Sequence, residues 1–499
     1  MRYLTRSISL ILVLLLTAGA FAGCADSEPE TDGQITSAET SAESAEEETD
    51  EYTRADVKDN LPEDLDYDGT TFTLYVASDT GQCDYMAGPE EATGDVVPDA
   101  IMNRNLSVEE RLNINLEFVP DATSSWNTVA KNISTYLLAG DTTFDLYLGQ
   151  QYGIVSLIVR GGFYNTNELE HLDFSQPWWN TGYMDTISIG KDTRYFMVGD
   201  YCINAIQSTH VLYFNKEIYA NHYGDANGLY EDVLDGSWTL DNLSDVAAGV
   251  YIDVNNNGQT DDADQLGYAT YLAAASVDPF MYLGGIPYSS HDEEGNLTLN
   301  LLDERVVTLV DKVVGFFHQP GSTFVTVENP TTLFKNGTAL FLGINTLNSS
   351  VGLRDMEDDY GFLPYPKLTQ EQENYHALVA DIVLLGAVPV TSLNLDKIGA
   401  VVEALGSESY RTVIPAWYEN ALKIKYSRDE ISAQIIDIVH DALSTDFIYA
   451  YSPQLGNVGT IMRNQVNNNN NTYVSDITKL EKSVNKMLGK LVDAYNEAN

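Results

Sequence analysis

The feature that most constrains the fold is a regular alternation of strand and helix patterns that begins at residue 71. Apolar and polar residues alternate over residues 71–76, as they do in a strand with one buried face. Helical spacing follows over residues 99–112, and the alternation returns over residues 114–118. The same order recurs where the helical pattern of residues 126–138 leads into a strand pattern at 144–148. This order of strand, helix and strand predicts an α/β fold.

The N-terminus has the composition of a secretory signal. Arg2 and Arg6 precede an apolar stretch over residues 8–16, which leads into small residues that end at Cys24. At roughly 15 residues, the apolar stretch is shorter than the ~20 residues that a membrane-spanning helix needs. The tetrapeptide FAGC that ends there resembles the bacterial lipobox, whose cysteine is diacylated. We expect residues 1–23 to be a lipoprotein signal peptide and Cys24 to anchor the chain at the extracellular face of the cell membrane, an ordinary signal peptide being the alternative.

The chain is strongly acidic. It has 74 Asp and Glu residues against 26 Lys and Arg residues, which gives a net charge of −48. Such a charge repels nucleic acid and anionic lipid headgroups, so we expect no nucleic-acid partner. Residues 24–61 consist mainly of Glu, Asp, Ser, Thr and Ala, which cannot bury enough apolar surface to fold. We expect this segment to be a disordered acidic tether.

Two cysteines, Cys83 and Cys202, remain once Cys24 is assigned to the lipid anchor. An oxidising exterior would allow them to form a disulfide. Their separation of roughly 120 residues gives no geometric support to a bridge, so two free buried thiols are an equal alternative.

Four stretches carry a resemblance to a known family. They are LYFNK at 212–216, GSWTLDNL at 236–243, LFKNGTALFLG at 333–343 and YGFLPYPK at 360–367. Their order and spacing resemble those of the family 1 extracellular solute-binding proteins of ATP-driven (ABC-type) sugar importers, a class that includes the maltose-binding proteins. The resemblance extends over nearly all of the chain beyond residue 65.

The resemblance implies a two-lobed periplasmic-binding-protein-like fold of type II, with a hinge and a ligand cleft between the lobes. It also implies a monomer that captures a carbohydrate, without covalent chemistry, and delivers it to the transmembrane subunits of an ABC permease. The crossing strands are expected at residues 196–207 and 361–367. The expected boundaries are 62–205 plus 370–430 for lobe one and 206–369 plus 431–499 for lobe two.

Sugar recognition needs aromatic faces to cover the C–H surfaces of a pyranose and planar polar side chains to bridge its hydroxyls. The resemblance places ligand contacts after the strand at 144–148, in the loop that contains two adjacent tryptophans, and on the first crossing strand. At each position, packing or a solvated loop is the structural alternative. The candidates on this side of the cleft are Gln150, Tyr152, Trp178, Trp179, Tyr201 and Asn204.

The opposite wall of the cleft has fewer candidates. Asp278 lies before Pro279 in a segment that resembles the family's second wall. Its carboxylate could accept hydrogen bonds from two sugar hydroxyls, although a helix N-cap is the structural alternative. Asn345 and Tyr451 are candidates by position alone.

The run DVNNNGQTDDAD at residues 253–264 resembles the twelve-residue calcium loop. Oxygen-bearing side chains occupy positions one, three and five, and Gly258 stands at position six, where the loop turns sharply. Thr260 replaces the usual apolar residue at eight, and an aspartate replaces the glutamate at twelve. We expect a structural Ca²⁺ here, an Asn/Asp-rich turn being the alternative. The expected ligands are Asp253, Asn255, Asn257, Gln259, Asp261 and Asp264.

The same sequence features are compatible with two other functions. A secreted, tyrosine-rich, acidic chain could be a glycoside hydrolase, which needs two carboxylates, but no pair stands out among so many. No nucleophile elbow, HExxH motif or phosphate loop is present in the sequence, so we expect a protein that is not an enzyme. A surface sensor or adhesin of the same fold is the second alternative.

Overall fold

The computed structural model describes residues 54–498, except 79–80, 82, 124, 191, 294–295, 326–329 and 424–429. The expected signal peptide, the lipidation site Cys24 and most of the acidic tether lie outside these residues. The strands are β1 (Thr70–Ser78), β2 (Ile114–Ala122), β3 (Leu146–Gln150), β4 (His210–Asn215), β5 (Leu266–Thr270), β6 (Ser289–His291), β7 (Leu297–Leu299), β8 (Thr323–Val325), β9 (Ala339–Thr346), β10 (Tyr360–Leu363), β11 (Ala377–Leu378), β12 (Leu384–Ala387) and β13 (Leu443–Ser444).

Helices connect most of these strands, and Ser409–Val413 forms a π-helical turn between two of them. Six segments are 3₁₀ turns: Arg54–Asp56, Ile158–Arg160, Thr166–Glu168, Leu347–Leu353, Ser452–Leu455 and Val458–Thr460. The α-helices are α1 (Asp84–Ala87), α2 (Val96–Leu112), α3 (Trp126–Ala139), α4 (Gln151–Val155), α5 (Thr181–Thr186), α6 (Asn204–Gln207), α7 (Lys216–Tyr223), α8 (Gly228–Leu234), α9 (Leu240–Gly249), α10 (Ala274–Tyr282), α11 (Glu304–Phe317), α12 (Pro330–Lys335), α13 (Leu395–Glu408), α14 (Ile414–Lys423), α15 (Glu430–Asp441), α16 (Phe447–Ala450), α17 (Met462–Asn467) and α18 (Tyr473–Ala498).

The alternating pattern at the start of the sequence forms the sheet of lobe one, in the order β12-β3-β1-β2. β1 is parallel to β2, with Thr70 opposite Ile114, and parallel to β3. β12 is antiparallel to β3, with Leu384 opposite Gln150. Helices α2 and α3 pack along this sheet and α13 packs on α2. The predicted series β1, α2, β2, α3 and β3 is confirmed.

The sheet of lobe two has the order β10-β4-β9-β5-β8. β5 is parallel to β8 and β9, whereas β4 and β10 add to the sheet in antiparallel pairs. Its core is aromatic: the ring of Tyr268 on β5 lies 4.8 Å from Phe316 on α11, and Phe280 on α10 packs against both. Each lobe therefore has a mixed sheet with its own buried helices.

The chain crosses between the lobes through a narrow strip of backbone hydrogen bonds. Thr209 of the first crossing forms an antiparallel bridge with Val379 of the second. The same Val379 donates its N–H to the carbonyl of Ser444 in the third crossing, at 3.0 Å, and β11 pairs in parallel with β13 beside it. A strip of three short segments can bend with few broken contacts, so it is the natural hinge.

The expected crossing strand over residues 196–207 is wrong. Met197 instead pairs with Gly386 inside lobe one, and residues 204–207 form the short helix α6. The turn between them packs tightly, since a Cβ on Gly199 would lie 2.4 Å from the carbonyl oxygen of Trp178. The chain therefore turns within lobe one and crosses only after α6.

The last helix, α18, contacts both lobes. Near its start, the Tyr473 hydroxyl donates to the carbonyl of Leu301 in lobe two at 2.8 Å. Near its end, Tyr495 packs on Tyr195 of lobe one, with ring centres 5.4 Å apart. None of the described helices is both long and apolar enough for a membrane span.

Candidate functional site between the lobes

The lobe-one wall of the cleft is built where β3 ends and α4 begins. Gln150 closes the strand, and Tyr152 lies in the first turn of the helix with 7% of its surface exposed. Gly153 lets α4 approach the start of α3 closely, because a Cβ there would lie 2.6 Å from the carbonyl oxygen of Trp126. The rings of Trp126 and Tyr152 consequently meet edge to face at 6.1 Å.

The lobe-two wall contains a buried ion pair. Asp278 on α10 is 2% exposed, and Arg463 on α17 donates from Nε to its Oδ1 at 2.6 Å and from Nη2 to its Oδ2. Burial raises the pKa of Asp278 to about 6, and the guanidinium opposes that shift. The same carboxylate raises the pKa of Arg463, so the pair carries one fixed positive and one negative group into the cleft.

Aromatic side chains connect the two walls. Tyr449 on α16 lies 5.8 Å from the ring of Tyr152 in lobe one and 5.4 Å from that of Tyr282 on α10. The hydroxyl of Tyr282 donates to the carbonyl of Gly459 at 2.6 Å, which fixes its ring. A strip of aromatic rings therefore runs from Trp126 across the cleft to α10.

A second carboxylate reaches the cleft from the hinge. Asp381 follows Ala380, whose N–H donates to Ser208 of the first crossing at 2.9 Å. Burial raises the pKa of Asp381, and Arg463 opposes that shift. Burial raises the pKa of Tyr152 and of Tyr449, and both carboxylates add to that rise, so the four groups lie near one another. We call this set the interlobe cluster: Tyr152, Asp278, Tyr282, Asp381, Tyr449 and Arg463.

The cluster has the chemistry that a carbohydrate site requires. Its phenol rings can cover C–H surfaces, and its carboxylates and guanidinium can exchange hydrogen bonds with hydroxyl groups. It also lies at the carboxyl end of β3 and beside the hinge, where two-lobed α/β proteins hold ligands.

Comparison with known proteins identifies the architecture. No protein-family model matches the chain, and no curated protein matches it. Solved structures do match. An ABC substrate-binding protein from Listeria monocytogenes in complex with cycloalternan is 14% identical, with a TM-score of 0.51 over 85% of this chain and 100% of that one. The chain has the two-lobed fold of the ABC solute-binding proteins.

Two further structures agree on the solute-binding fold. A solute-binding protein of an ABC transporter from Thermotoga lettingae, bound with α-D-tagatose, is 14% identical with a TM-score of 0.51, and the match covers 84% of this chain and 100% of that one. UspC from Mycobacterium tuberculosis is 12% identical with a TM-score of 0.53, covering 86% of this chain and 100% of that one. The expected α/β type II architecture is thereby confirmed.

Within the solute-binding fold, three of the predicted ligand residues lie around the cleft. Gln150 and Tyr152 come from lobe one and Asp278 from lobe two. Asp278 was expected either to bind ligand or to cap a helix. Its carboxylate instead pairs with Arg463, so it reaches the cleft as half of an ion pair.

Trp178 and Trp179 do not lie at this cleft. Trp178 is 1% exposed and packs on Gly406 of α13, where a Cβ would lie 2.7 Å from its ring. The indole N–H of Trp179 donates to Glu403 Oε2 at 3.0 Å. Both rings are held by the core of lobe one, so the structure favours packing over sugar stacking for this pair.

Tyr201 and Asn204 also have structural roles. Tyr201 is buried, and its hydroxyl donates to the carbonyl of Met197 at 2.9 Å. Asn204 Oδ1 accepts the backbone N–H of Leu384 at 2.8 Å and so fixes the start of β12. Neither side chain belongs to the interlobe cluster, because the crossing strand that would have carried them is not formed.

The two candidates chosen by position differ in outcome. Asn345 lies in β9 opposite Val211, and its side chain is outside the described part of the structure. Tyr451 is fully buried, and its hydroxyl donates to the carbonyl of Ile187 in lobe one at 3.1 Å. Tyr451 therefore joins the lobes directly and does not face the cleft.

Sequence reasoning missed four residues around the cleft: Trp126, Asp381, Tyr449 and Arg463. Trp126 opens a helix and was visible as an aromatic residue at a helix start, a position that can face a cleft. The other three come from the hinge and from the segment after the third crossing. Their spacing along the chain gives no local signal that they meet.

The predicted calcium loop folds back on its own side chains. The Asp253 carboxylate accepts the N–H groups of Asn257 and Gly258 at 3.2 and 2.9 Å. The buried Asp264 carboxylate accepts those of Val254 and Asp261 at 3.2 and 3.0 Å. The first acidic position thus holds the middle of the loop, and the last one connects the end of the loop to its start.

Asp261 holds the side-chain amides in the middle of the loop. The amides of Asn255 and Asn257 both donate to the Asp261 carboxylate, at 3.1 and 2.6 Å. Gly258 has φ +72°, the left-handed turn that position six of such a loop requires. The donor set and the turn both fit a Ca²⁺ ion.

The two remaining cysteines are free thiols. Cys83 and Cys202 are both buried and unbridged. Burial raises the pKa of each to about 11, so neither is a reactive thiolate at neutral pH.

Proposed function

We propose that this protein is an extracellular binding protein that captures a carbohydrate, of the oligosaccharide class, between its lobes. The observation that carries the proposal is the interlobe cluster. Tyr152 and Tyr449 contribute aromatic faces, and the Asp278–Arg463 pair and Asp381 contribute fixed charges, at the hinge of a two-lobed fold. A catalytic role is not expected, because Arg463 engages both oxygens of the Asp278 carboxylate.

The proposed mechanism is hinge closure. A sugar first contacts one wall, and its hydroxyl groups then exchange hydrogen bonds with groups of the other wall, which favours the closed arrangement. Closure excludes water and strengthens the charged hydrogen bonds. Two of the matched structures are bound to carbohydrates, cycloalternan and α-D-tagatose, which supports a carbohydrate as the class of ligand.

The delivery step and the location are part of the same proposal. A closed, loaded protein would dock on the transmembrane subunits of an ABC permease as a monomer. Attachment through Cys24, with residues 24–61 as a tether, would keep the folded part near that permease. We place the lobe boundaries at the three crossings, near residues 209, 379 and 444, which is close to the expected 205 and 370 and beyond the expected 430.

Calorimetry on the chain from residue 25 onward tests the carbohydrate proposal, since the compact unit begins at Tyr52. The chain is titrated with mono- and oligosaccharides, and each mixture is then analysed for products. Saturable binding with intact sugar, lost in Arg463→Ala and kept in Arg305→Ala on the exposed face, supports it. Cleaved sugar would instead support a glycoside hydrolase, and absence of binding to every sugar would refute the carbohydrate class.

We further propose that the loop at residues 253–264 binds a structural Ca²⁺. Asp253, Asn255, Asn257, Asp261 and Asp264 would supply side-chain oxygens and Gln259 its carbonyl. Extracellular calcium modules commonly have dissociation constants of about 10⁻⁴ to 10⁻³ M. Millimolar Ca²⁺ should raise the melting temperature of the wild type and leave that of Asp253→Ala unchanged. An equal rise in both proteins would mean that the ion binds elsewhere.

A further inference from the structure

A cavity lies beside the hinge, and none of the residues that line it belongs to the interlobe cluster. Its volume is ≈ 340 Å³. One wall is the turn of residues 177–182, the second is the segment 198–200, and the third is the end of α15 with Leu443 of the third crossing. The first two walls are pressed together through the bridge between Trp179 and Gly199, so the cavity has a rigid side.

Asp200 lines this cavity and carries a buried carboxylate. Its side chain is 6% exposed, and its Oδ2 has no hydrogen-bond partner among the described residues. Its backbone N–H donates to the carbonyl of Trp178 at 2.9 Å, which holds the residue in place. A buried carboxylate oxygen without a hydrogen-bond partner is costly, so the site favours a ligand that brings a donor or a cation.

The charges around Asp200 favour a cation over a neutral donor. The lining contains a second carboxylate, Asp441, and no Lys or Arg among its described residues. His440 also lines the cavity and acts electrostatically on Asp200, although its Nδ1 lies 3.3 Å from Asp441. Arg54 acts on Asp200 from outside the lining, and its guanidinium lies over the Tyr410 ring at 4.6 Å.

The size and the remaining lining narrow the class of ligand. Trp178 and Trp179 border the cavity, and the side chain of Asn180 accepts the N–H of Tyr183 at 2.9 Å at its rim. Carboxylates beside aromatic groups are the combination that recognises ammonium groups. A volume of ≈ 340 Å³ accommodates a small organic molecule and exceeds what a bare metal ion needs.

We propose that the cavity at Asp200 is a binding site for a small organic cation with an ammonium group, separate from the carbohydrate cleft. The ammonium group lies against the Asp200 carboxylate, and its alkyl groups lie against the indole edges. Ala205, Ile206 and Leu443 line the same cavity, so the bound cation touches α6, which leads into the first crossing, and the third crossing.

Titration with choline tests this proposal without any carbohydrate. Calorimetry is run at about pH 8, where Asp200 is ionised, at constant ionic strength. The uncharged isostere 3,3-dimethylbutanol is the ligand control, and Glu481→Gln, at a distant surface, is the protein control. We expect saturable choline binding that weakens by about tenfold or more in Asp200→Asn and is unchanged in Glu481→Gln.

A measurement on the wild type covers the case in which Asp200→Asn does not fold. Choline should shift the indole N–H resonances of Trp178 and Trp179 and leave that of Trp238, which is buried in lobe two, in place. No saturable choline binding, equal binding of the uncharged isostere, or unchanged affinity in folded Asp200→Asn would each overturn the proposal. Because sugars are absent from these experiments, the result is independent of the proposed carbohydrate function.

Discussion

Arg463 on α17 and Asp278 on α10 form a two-point ion pair in which both carboxylate oxygens accept from the guanidinium. Asp278 is buried, whereas the Arg463 side chain keeps 32% of its surface exposed. The carboxylate of the pair is therefore shielded from solvent in lobe two, whereas the guanidinium is partly exposed to solvent on the side of the cleft. Such a pair stabilises the lobe and presents donors to a ligand at the same time.

Removing the cation of this pair should be costly. Arg463→Ala leaves a buried carboxylate uncompensated, so the free energy of unfolding should fall by about 3–5 kcal/mol. The double variant Asp278→Ala/Arg463→Ala should recover part of that loss, because no unpaired charge remains. Denaturant unfolding measures both. Arg305→Ala, which breaks an exposed pair with Asp303, should change stability by less than about 1 kcal/mol, and an equal effect would contradict the interpretation.

Substitutions of aromatic residues in the cleft should weaken sugar binding, whereas substitutions of aromatic residues in the core should not. Tyr152→Ala and Trp126→Ala remove apolar cover from a bound sugar, so each should weaken binding by about 1–3 kcal/mol, or roughly 5- to 150-fold. Trp179→Phe removes the hydrogen bond to Glu403 and part of a buried indole ring, so it should lower stability without changing affinity. A loss of sugar affinity in Trp179→Phe would show that the tryptophan pair contributes to the sugar-binding site.

The sequence predicted what local patterns determine. The alternating segments became β1, α2, β2, α3 and β3 because strand and helix periods follow from which face of each element is buried. Gln150 and Tyr152 follow the predicted strand β3 for a related reason, because the ends of parallel strands share one edge of the sheet, and their contact with a ligand stays a prediction.

Such local patterns do not predict which residues far apart in the chain meet in the fold. Arg463 meets Asp278 across 185 positions of the chain, and no periodicity links them. Trp178 and Trp179 stand in a loop without amphipathic spacing, which made stacking on a sugar plausible. The loop is covered by α13, whose Gly406 leaves space for an indole ring, and only the packing of that helix reveals it.

Stability should depend on pH through a buried acid of lobe one. Burial raises the pKa of Glu403 to about 7 from its ordinary value of 4.5. The folded state therefore binds this proton more tightly than the unfolded state. The resulting stabilisation is fully present below about pH 4.5 and is lost as the pH rises through about 7. Asp446 behaves in the same direction, since burial raises its pKa to about 7.

The variant Glu403→Gln isolates this effect. The amide oxygen can still accept from Trp179 and from the N–H of Asp173, while the titration disappears. Relative to the wild type, Glu403→Gln should gain up to about 3 kcal/mol between pH 5 and about pH 8. Urea unfolding at a series of pH values measures how the free energy of unfolding changes with pH. Parallel plots of this free energy against pH for the two proteins would rule out Glu403 as the source of the pH dependence.

The contacts of α18 with both lobes should bias the hinge. Opening must separate Tyr495 from Tyr195 in lobe one or break the hydrogen bond from Tyr473 to Leu301 in lobe two. Tyr495→Ala removes the lobe-one contact, so it should shift the population toward separated lobes and weaken sugar binding by roughly 3- to 30-fold. Tyr473→Ala removes a contact within lobe two, so it should lower stability with a smaller effect on the lobe separation.

The lobe separation can be measured directly with spin labels. Cysteines introduced at Leu138 in lobe one and Leu302 in lobe two are exposed, whereas the native Cys83 and Cys202 are buried and should resist labelling. Tyr495→Ala should broaden the distance distribution toward longer values in the absence of sugar, and saturating sugar should restore the wild-type distance. If the distributions of Tyr495→Ala and the wild type coincide without sugar, α18 moves with one lobe, and its contact with the other does not limit opening.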